Sequence, residues 1–150
     1  MKIYFAAHAT TKDNLAKIAS GWSDAELSDL GKKQAKDLGE TFKGISLDLV
    51  CCSDLIRAVD TVKIAFGDKY QVIADRRLRE LNYGDFNGKP SEIVEPLQEE
   101  NIGKRFPGGE SYEDVKERIQ DFLNFLKEKY DGKRVDIVAH KAPQLALEVL

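Results

Sequence analysis

Four short apolar, β-rich runs are spread along this chain, and each is followed by a segment whose apolar residues recur at helical spacing. The runs are residues 3–7 (IYFAA), 47–52 (LDLVCC), 71–74 (QVIA) and 134–139 (RVDIVA). Runs this short and this apolar suit strands buried on both faces. Strands joined through helices make right-handed crossovers, which produce a parallel sheet covered on each side. The pattern therefore predicts an α/β protein, a three-layer α/β/α sandwich around a mostly parallel sheet. At 150 residues, with no repeat or Pro/Gly-rich linker, residues 1–150 read as one domain around one core.

The helices are legible from their caps and stripes. Ser28 caps a helix with Leu30, Ala35, Leu38 and Phe42 on its apolar side, and Gly44 closes it. Ser53 is expected to cap the next, where Leu55, Val59, Val62 and Phe66 share a face. Ser111 caps the clearest one, with a stripe through Val115, Ile119, Phe122, Leu126 and Tyr130. A last helix is expected from about Pro143 to the end. Residues 81–109 are irregular and broken by Pro90, Pro96 and Pro107, with a short helix from Ser91.

Composition narrows the partners. A net charge of -3 supplies no basic surface for nucleic acid or an anionic membrane. No stretch is long enough to span a bilayer, and the N-terminal apolar patch is too short for a secretory signal. Cys51 and Cys52 are the only cysteines. As neighbours in a buried run they read as reduced thiols, so a cytoplasmic location is expected, without disulfides or zinc.

In open parallel sheets ligands bind beyond the carboxyl ends of the strands. His8 follows the first run, Arg57 the second, Glu80 the third by a few residues, and His140 the fourth. Both histidines of the protein thus fall at strand ends on one edge. Two imidazoles, a guanidinium and a carboxyl converging there suit phosphoryl transfer. One histidine can attack phosphorus, the cations can hold its oxygens, and the carboxyl can protonate a leaving group. Glu80 has a competing reading, as a loop charge paired with Arg76, Arg77 or Arg79. Thr11 has one as a turn residue.

Six blocks in order carry a resemblance. FAAHATTKDN matches an Arg-His-Gly opening motif at His8, Thr11 and Asn14. GWSDAELSDLGKKQA matches at Gly21, Asp24, Leu27, Gly31, Gln34 and Ala35. SDLIRAVDT follows Ser-x-Leu-x-Arg-Ala-x-x-Thr, and LRELNYGDFNG matches the block of the catalytic acid at Leu78, Glu80, Gly84 and Gly88. PGGES at 107–111 and VAH at 138–140 complete the set. Over essentially its whole length the chain resembles the histidine phosphatase (phosphoglycerate mutase-like) superfamily, small phosphatase branch.

The resemblance implies that His8 becomes phosphohistidine, and that Arg57 and His140 hold the phosphoryl oxygens. Glu80 would serve as acid and then base, and Asn14 as a further phosphate ligand. Thr11, Tyr83 and Lys141 join the candidate phosphate- or substrate-binding residues, although Lys141 is expected to face solvent. Asn82, Phe86 and Arg105 are further candidates for substrate selection. No metal and no cofactor is implied. The expected partner is a small phosphorylated substrate, with the chain a monomer or homodimer.

Two positions depart from the family pattern. Ala7 stands where the family has its first arginine, and Lys141 where it often has glycine. Either an arginine has been replaced in an active enzyme, or the chain has drifted into a weak enzyme or a phosphate-binding pseudoenzyme. The retained Glu80, which a pure binder does not need, favours the first. The chain stops at ALEVL in an apolar helix, beyond which family members continue, so a minimal or C-terminally shortened form is expected. The implied activity is a phosphomonoesterase, impaired by Ala7. Mutase-type transfer and non-catalytic binding are the alternatives.

Overall fold

The computed structural model describes all 150 residues. In chain order the elements are β1 (Lys2–Ala7), α1 (Lys12–Leu15), β2 (Ile18–Ala19), α2 (Asp29–Thr41), β3 (Leu49–Ser53) and α3 (Ile56–Phe66). Then come β4 (Val72–Asp75), β5 (Lys89–Pro90), α4 (Ser91–Val94), α5 (Tyr112–Lys129), β6 (Arg134–Ala139) and α6 (Lys141–Val149). Four strands form one sheet in the order β1-β6-β3-β4, every neighbouring pair parallel. The small β2–β5 pair stands apart from it.

Side chains alternate across a strand, and both faces of this sheet are apolar. Leu49, Cys51, Val135, Ile137 and Ala139 pack against Val115, Ile119, Phe122 and Leu126 of α5 and Ala142 and Ala146 of α6. Val50, Cys52 and Val138 pack against Val62 and Phe66 of α3 and Phe42 at the end of α2. The result is the expected three-layer α/β/α arrangement. No helix is long and apolar enough to cross a membrane.

Several local expectations shift. Strand β3 runs on through Ser53, which pairs with Asp75. Ser53 therefore does not cap α3; its hydroxyl accepts from the Leu55 N–H, and Leu55 takes the cap position without a side-chain bond. Gly44 does not end α2, which stops at Phe42 in right-handed conformation, while Gly44 itself keeps an ordinary backbone. Helix α6 begins at Lys141, not Pro143; proline is tolerated in a first turn, where its missing N–H has no intrahelical partner. Residues read as loop form α1, closed by a reciprocal capping box between Thr11 and Asn14.

One core residue is out of keeping with its surroundings. Asp136 lies in β6 between Tyr4 and Val50, is 0% exposed, and neither carboxylate oxygen has a hydrogen-bond partner. Burial pushes its pKa from 3.8 up to about 7. The folded chain thus holds a proton that the unfolded chain releases near pH 4. Stability falls as pH rises from about 4 to about 7, then levels off, at a cost of about 4 kcal/mol for the roughly three-unit difference. Asp136→Val, similar in volume and suited to a strand, is expected to stabilise the fold by about 2–4 kcal/mol at pH 8 and by clearly less at pH 5. Urea unfolding at the two pH values measures this; a gain independent of pH would contradict it.

Candidate active site

The strand order decides where the two histidines go. Strand β6 inserts between β1 and β3, and Ala7 pairs with Ala139 in register. His8 and His140 each follow one residue later, so they leave the sheet side by side. The His8 N–H donates to the Ala139 carbonyl at 2.9 Å. Their rings stand 5.0 Å apart between centroids, tilted by 54°.

His8 is oriented by its own backbone neighbourhood. Its Nδ1 lies 2.7 Å from the Ala9 carbonyl oxygen. A carbonyl can only accept, so Nδ1 carries the proton and Nε2 keeps a free lone pair. The Ala9 N–H in turn donates to Thr61 Oγ1 of α3 at 3.0 Å, anchoring this turn. Burial lowers the His8 pKa to about 4, and the Arg57 charge adds to the effect. At neutral pH the ring is therefore uncharged, and its Nε2 lone pair is chemically able to attack an electrophile.

His140 sits at the cap position of α6, 1% exposed, with neither ring nitrogen hydrogen-bonded. Burial first, then the permanent positive charges of Arg57 and Arg118, hold its pKa well below the usual value. Buried polar atoms normally find partners. A ligand oxygen in front of this ring would provide one.

Arg57 is the second residue of α3 and only 3% exposed. Its Nη1 donates to the Ser23 carbonyl at 2.9 Å and its Nη2 to the Gly21 carbonyl. Gly21 has φ 56°, a left-handed conformation for which glycine is suited, and so turns its carbonyl towards the guanidinium. Two of five N–H groups are used in this way, leaving three for an anion.

Glu80 follows the 3-10 turn Arg76–Leu78 after β4. Its Oε1 accepts from the N–H of Leu81 at 2.8 Å and of Ala142, in the first turn of α6, at 3.2 Å. Its main-chain carbonyl accepts from Trp22 Nε1 at 2.7 Å and Arg118 Nη2 at 3.0 Å. Burial raises the carboxyl pKa, against the opposing backbone bonds and the Arg57 and Arg118 charges. The competing surface pairs do not form: Arg77 bonds Asp75 and Asp121, and Arg79 bonds Asp54.

A cavity of about 540 Å³ is lined by His8, Arg57, Glu80 and His140, together with Ala7, Asn14, Tyr83 and Lys141. One uncharged imidazole with a free Nε2, one fixed guanidinium, an unpartnered imidazole and a carboxyl of raised pKa face one space. That set can accept a phosphoryl group, neutralise its oxygens and protonate a leaving oxygen. No group of three or more His, Cys, Asp or Glu side chains is placed to hold a metal ion.

Of the other sequence candidates, Thr11 does not line this cavity. It is fully buried, and its hydroxyl accepts from the Asn14 N–H at 2.9 Å as the cap of α1. Asn14 reaches the cavity wall, with its Oδ1 spent on the Thr11 N–H. Lys141 is exposed yet borders the cavity. Phe86 packs edge-to-face against Phe106, Arg105 pairs with Asp114, and Asn82 bonds within its own turn, so none of these three faces the site. In their place the 81–110 segment contributes Ser91, Glu95 and Gln98. The supports Trp22 and Arg118 escaped the sequence reading. An arginine beside the apolar stripe of α5 was the one available signal for Arg118.

The chain has relatives of known kind. Residues 3–147 match the family model described as histidine phosphatase superfamily (branch 1). A 2,3-bisphosphoglycerate-dependent phosphoglycerate mutase of Methylocella silvestris is 32% identical over 149 residues, covering 89% of this chain and 72% of that protein. Phosphoserine phosphatase 1 of Hydrogenobacter thermophilus is 30% identical over 156 residues, covering 98% and 74%. The structure of a mycobacterial glucosyl-3-phosphoglycerate phosphatase superposes with a TM-score of 0.85 at 29% identity, covering 97% of this chain and 78% of that one. With its fold, its paired strand-end histidines and a family match across almost its entire length, the chain belongs to the histidine phosphatase superfamily, branch 1.

Proposed function

We propose that the chain hydrolyses small phosphomonoesters through a phosphohistidine on His8. The observation that carries this reading is the Nδ1–H bond from His8 to the Ala9 carbonyl, which leaves Nε2 as the free nucleophile beside Arg57, His140 and Glu80. In the first step Nε2 bonds to phosphorus and the ester P–O bond breaks. Arg57 and His140 hold the non-bridging oxygens, and the Glu80 carboxyl gives its proton to the departing oxygen. In the second step water attacks phosphorus, Glu80 takes its proton, and the P–N bond breaks to release phosphate.

Hydrolysis is favoured over transfer by the cover of the site. The segment between Glu80 and Ser111, which covers the site together with residues 18–21, is only thirty residues long, and so short a cover favours access of water to the phosphohistidine. Assaying the Ala7→Arg chain with p-nitrophenyl phosphate and 3-phosphoglycerate side by side tests this. Phosphate release is expected from the first; isomerisation of the second without release would overturn the phosphatase reading. Non-catalytic phosphate binding is the second reading, favoured by Ala7, whose methyl offers no donor to the cavity.

The titrating groups set the pH dependence. His8 must be neutral to attack, so activity is lost as pH falls through about 4. Glu80 must be protonated to assist departure, so activity on alkyl phosphates declines as pH rises through its elevated pKa. Glu80→Gln is expected to lower kcat on an alkyl phosphate by about 10²–10⁴-fold and to flatten the basic limb of the profile. A basic limb unchanged in this variant would assign the acid elsewhere.

A further inference from the structure

Beside the cavity lies a second hollow of about 380 Å³, walled by Tyr83, Ile102, Tyr112, Leu145 and Val149. Ile102 and Leu145 are 48% and 43% exposed, although each is a large apolar side chain. Leu145 and Val149 are four residues apart on α6 and so share a face. Apolar side chains gathered at a concave site mark a place for a ligand. The hollow shares a wall with the first cavity: Glu80, Tyr83, Gln98 and Lys141 line both.

We propose that this hollow receives the organic part of the phosphomonoester, and that this part is apolar and free of carboxylate. The inference rests on the phosphatase reading above. The oxygen that leaves phosphorus must reach Glu80 to be protonated. Glu80 lines both hollows, so the apolar one lies directly beyond the carboxyl for the group bonded to that oxygen. The Oε1 atom of Glu80 is bonded to Leu81 and Ala142, two further lining residues of the second hollow.

Charge selects against an acidic substrate body. Glu99 and Glu148 line the hollow besides Glu80, with Lys141 as the single cation. A carboxylate placed there would meet two acidic side chains and no guanidinium to bind it in bidentate fashion. Phosphoglycerate and phosphoserine both carry such a carboxylate. A volume of about 380 Å³ accommodates one ring or a branched alkyl group.

Binding of non-hydrolysable phosphonates tests this without relying on turnover. By calorimetry on the Ala7→Arg chain, benzylphosphonate is expected to bind about tenfold or more tightly than methylphosphonate. Phosphonoacetate is expected to bind no better than methylphosphonate. Leu145→Glu, at an exposed helical position, should abolish the benzyl preference and leave methylphosphonate unchanged; Ile102→Glu should do the same from the other wall. Circular dichroism confirms that the variants fold. Equal binding of the benzyl and methyl compounds, tightest binding of phosphonoacetate, or a uniform loss in Leu145→Glu would overturn the inference and leave the phosphate site standing. Failure of all three phosphonates and of inorganic phosphate to bind would remove the phosphate-site reading, and this inference with it.

Discussion

Replacing Ala7 with arginine is expected to raise kcat/KM for a phosphomonoester by about 10²–10³-fold. Ala7 ends β1, lines the cavity, and precedes the proposed nucleophile directly. A guanidinium there offers a planar fork of donors to two phosphoryl oxygens, which a methyl group cannot. One charge-assisted contact strengthens ground-state phosphate binding by about 1.5–3 kcal/mol. The larger rate effect follows if the contact tightens as negative charge spreads over the oxygens. Steady-state kinetics with p-nitrophenyl phosphate, beside calorimetry with inorganic phosphate, separates the two. Tighter phosphate binding with no turnover would favour the binder.

In that same arginine-bearing chain, His8→Ala should cut turnover by about 10⁴-fold or more, because the other imidazole of the cavity, His140, is too buried to replace it. Acid-labile phosphate, trapped by quenching with a labelled phosphodonor, should be present in the parent and absent in the variant. The fold should tolerate the change, since the imidazole makes one hydrogen bond, to its neighbour Ala9. His140 provides an internal control. It is close, but it sits at 1% exposure, where it can bind an oxygen and has less room to attack phosphorus. A label that persists in His8→Ala and disappears in His140→Ala would reverse the two roles.

The layers of the fold were readable because they are written in neighbouring residues. Val50 and Cys52 face α2 and α3 while Leu49 and Cys51 face α5, and no polar residue interrupts the four. Such a run is suited only to a strand covered on both sides. Helix starts marked by Ser28 and Ser111 were readable for the same reason, since each hydroxyl caps an N–H three residues on. Ser53 misled because the strand runs on through it and the helix cap falls two residues later, at Leu55. Its pairing with Asp75 is a contact with another part of the chain, which no local pattern announces.

The cover of the site was the least legible part. Proline-broken and without period, residues 81–110 give no clue to which side chains turn inward. Gln98 and Glu95 face the cavity while Phe86 is taken up by Phe106, a choice made by aromatic packing. Arg118 looked like one more charge on a helix. Its value appears only when α5 packs beside the turn after β4 and the guanidinium reaches the carbonyls of Arg77 and Glu80.

Apolar periodicity and strand-end chemistry thus decided the class of fold and nominated His8, Arg57, Glu80 and His140, because both are local properties of the chain. Their meeting was decided elsewhere. Strand β6 had to enter between β1 and β3 for Ala7 and Ala139 to stand in register. The carbonyls of Gly21 and Ser23 then had to meet the Arg57 donors to set the fork. These are contacts between segments as many as 131 positions apart in the case of Ala139 and His8. Their energy is realised only on burial, when water no longer competes for the same donors and acceptors.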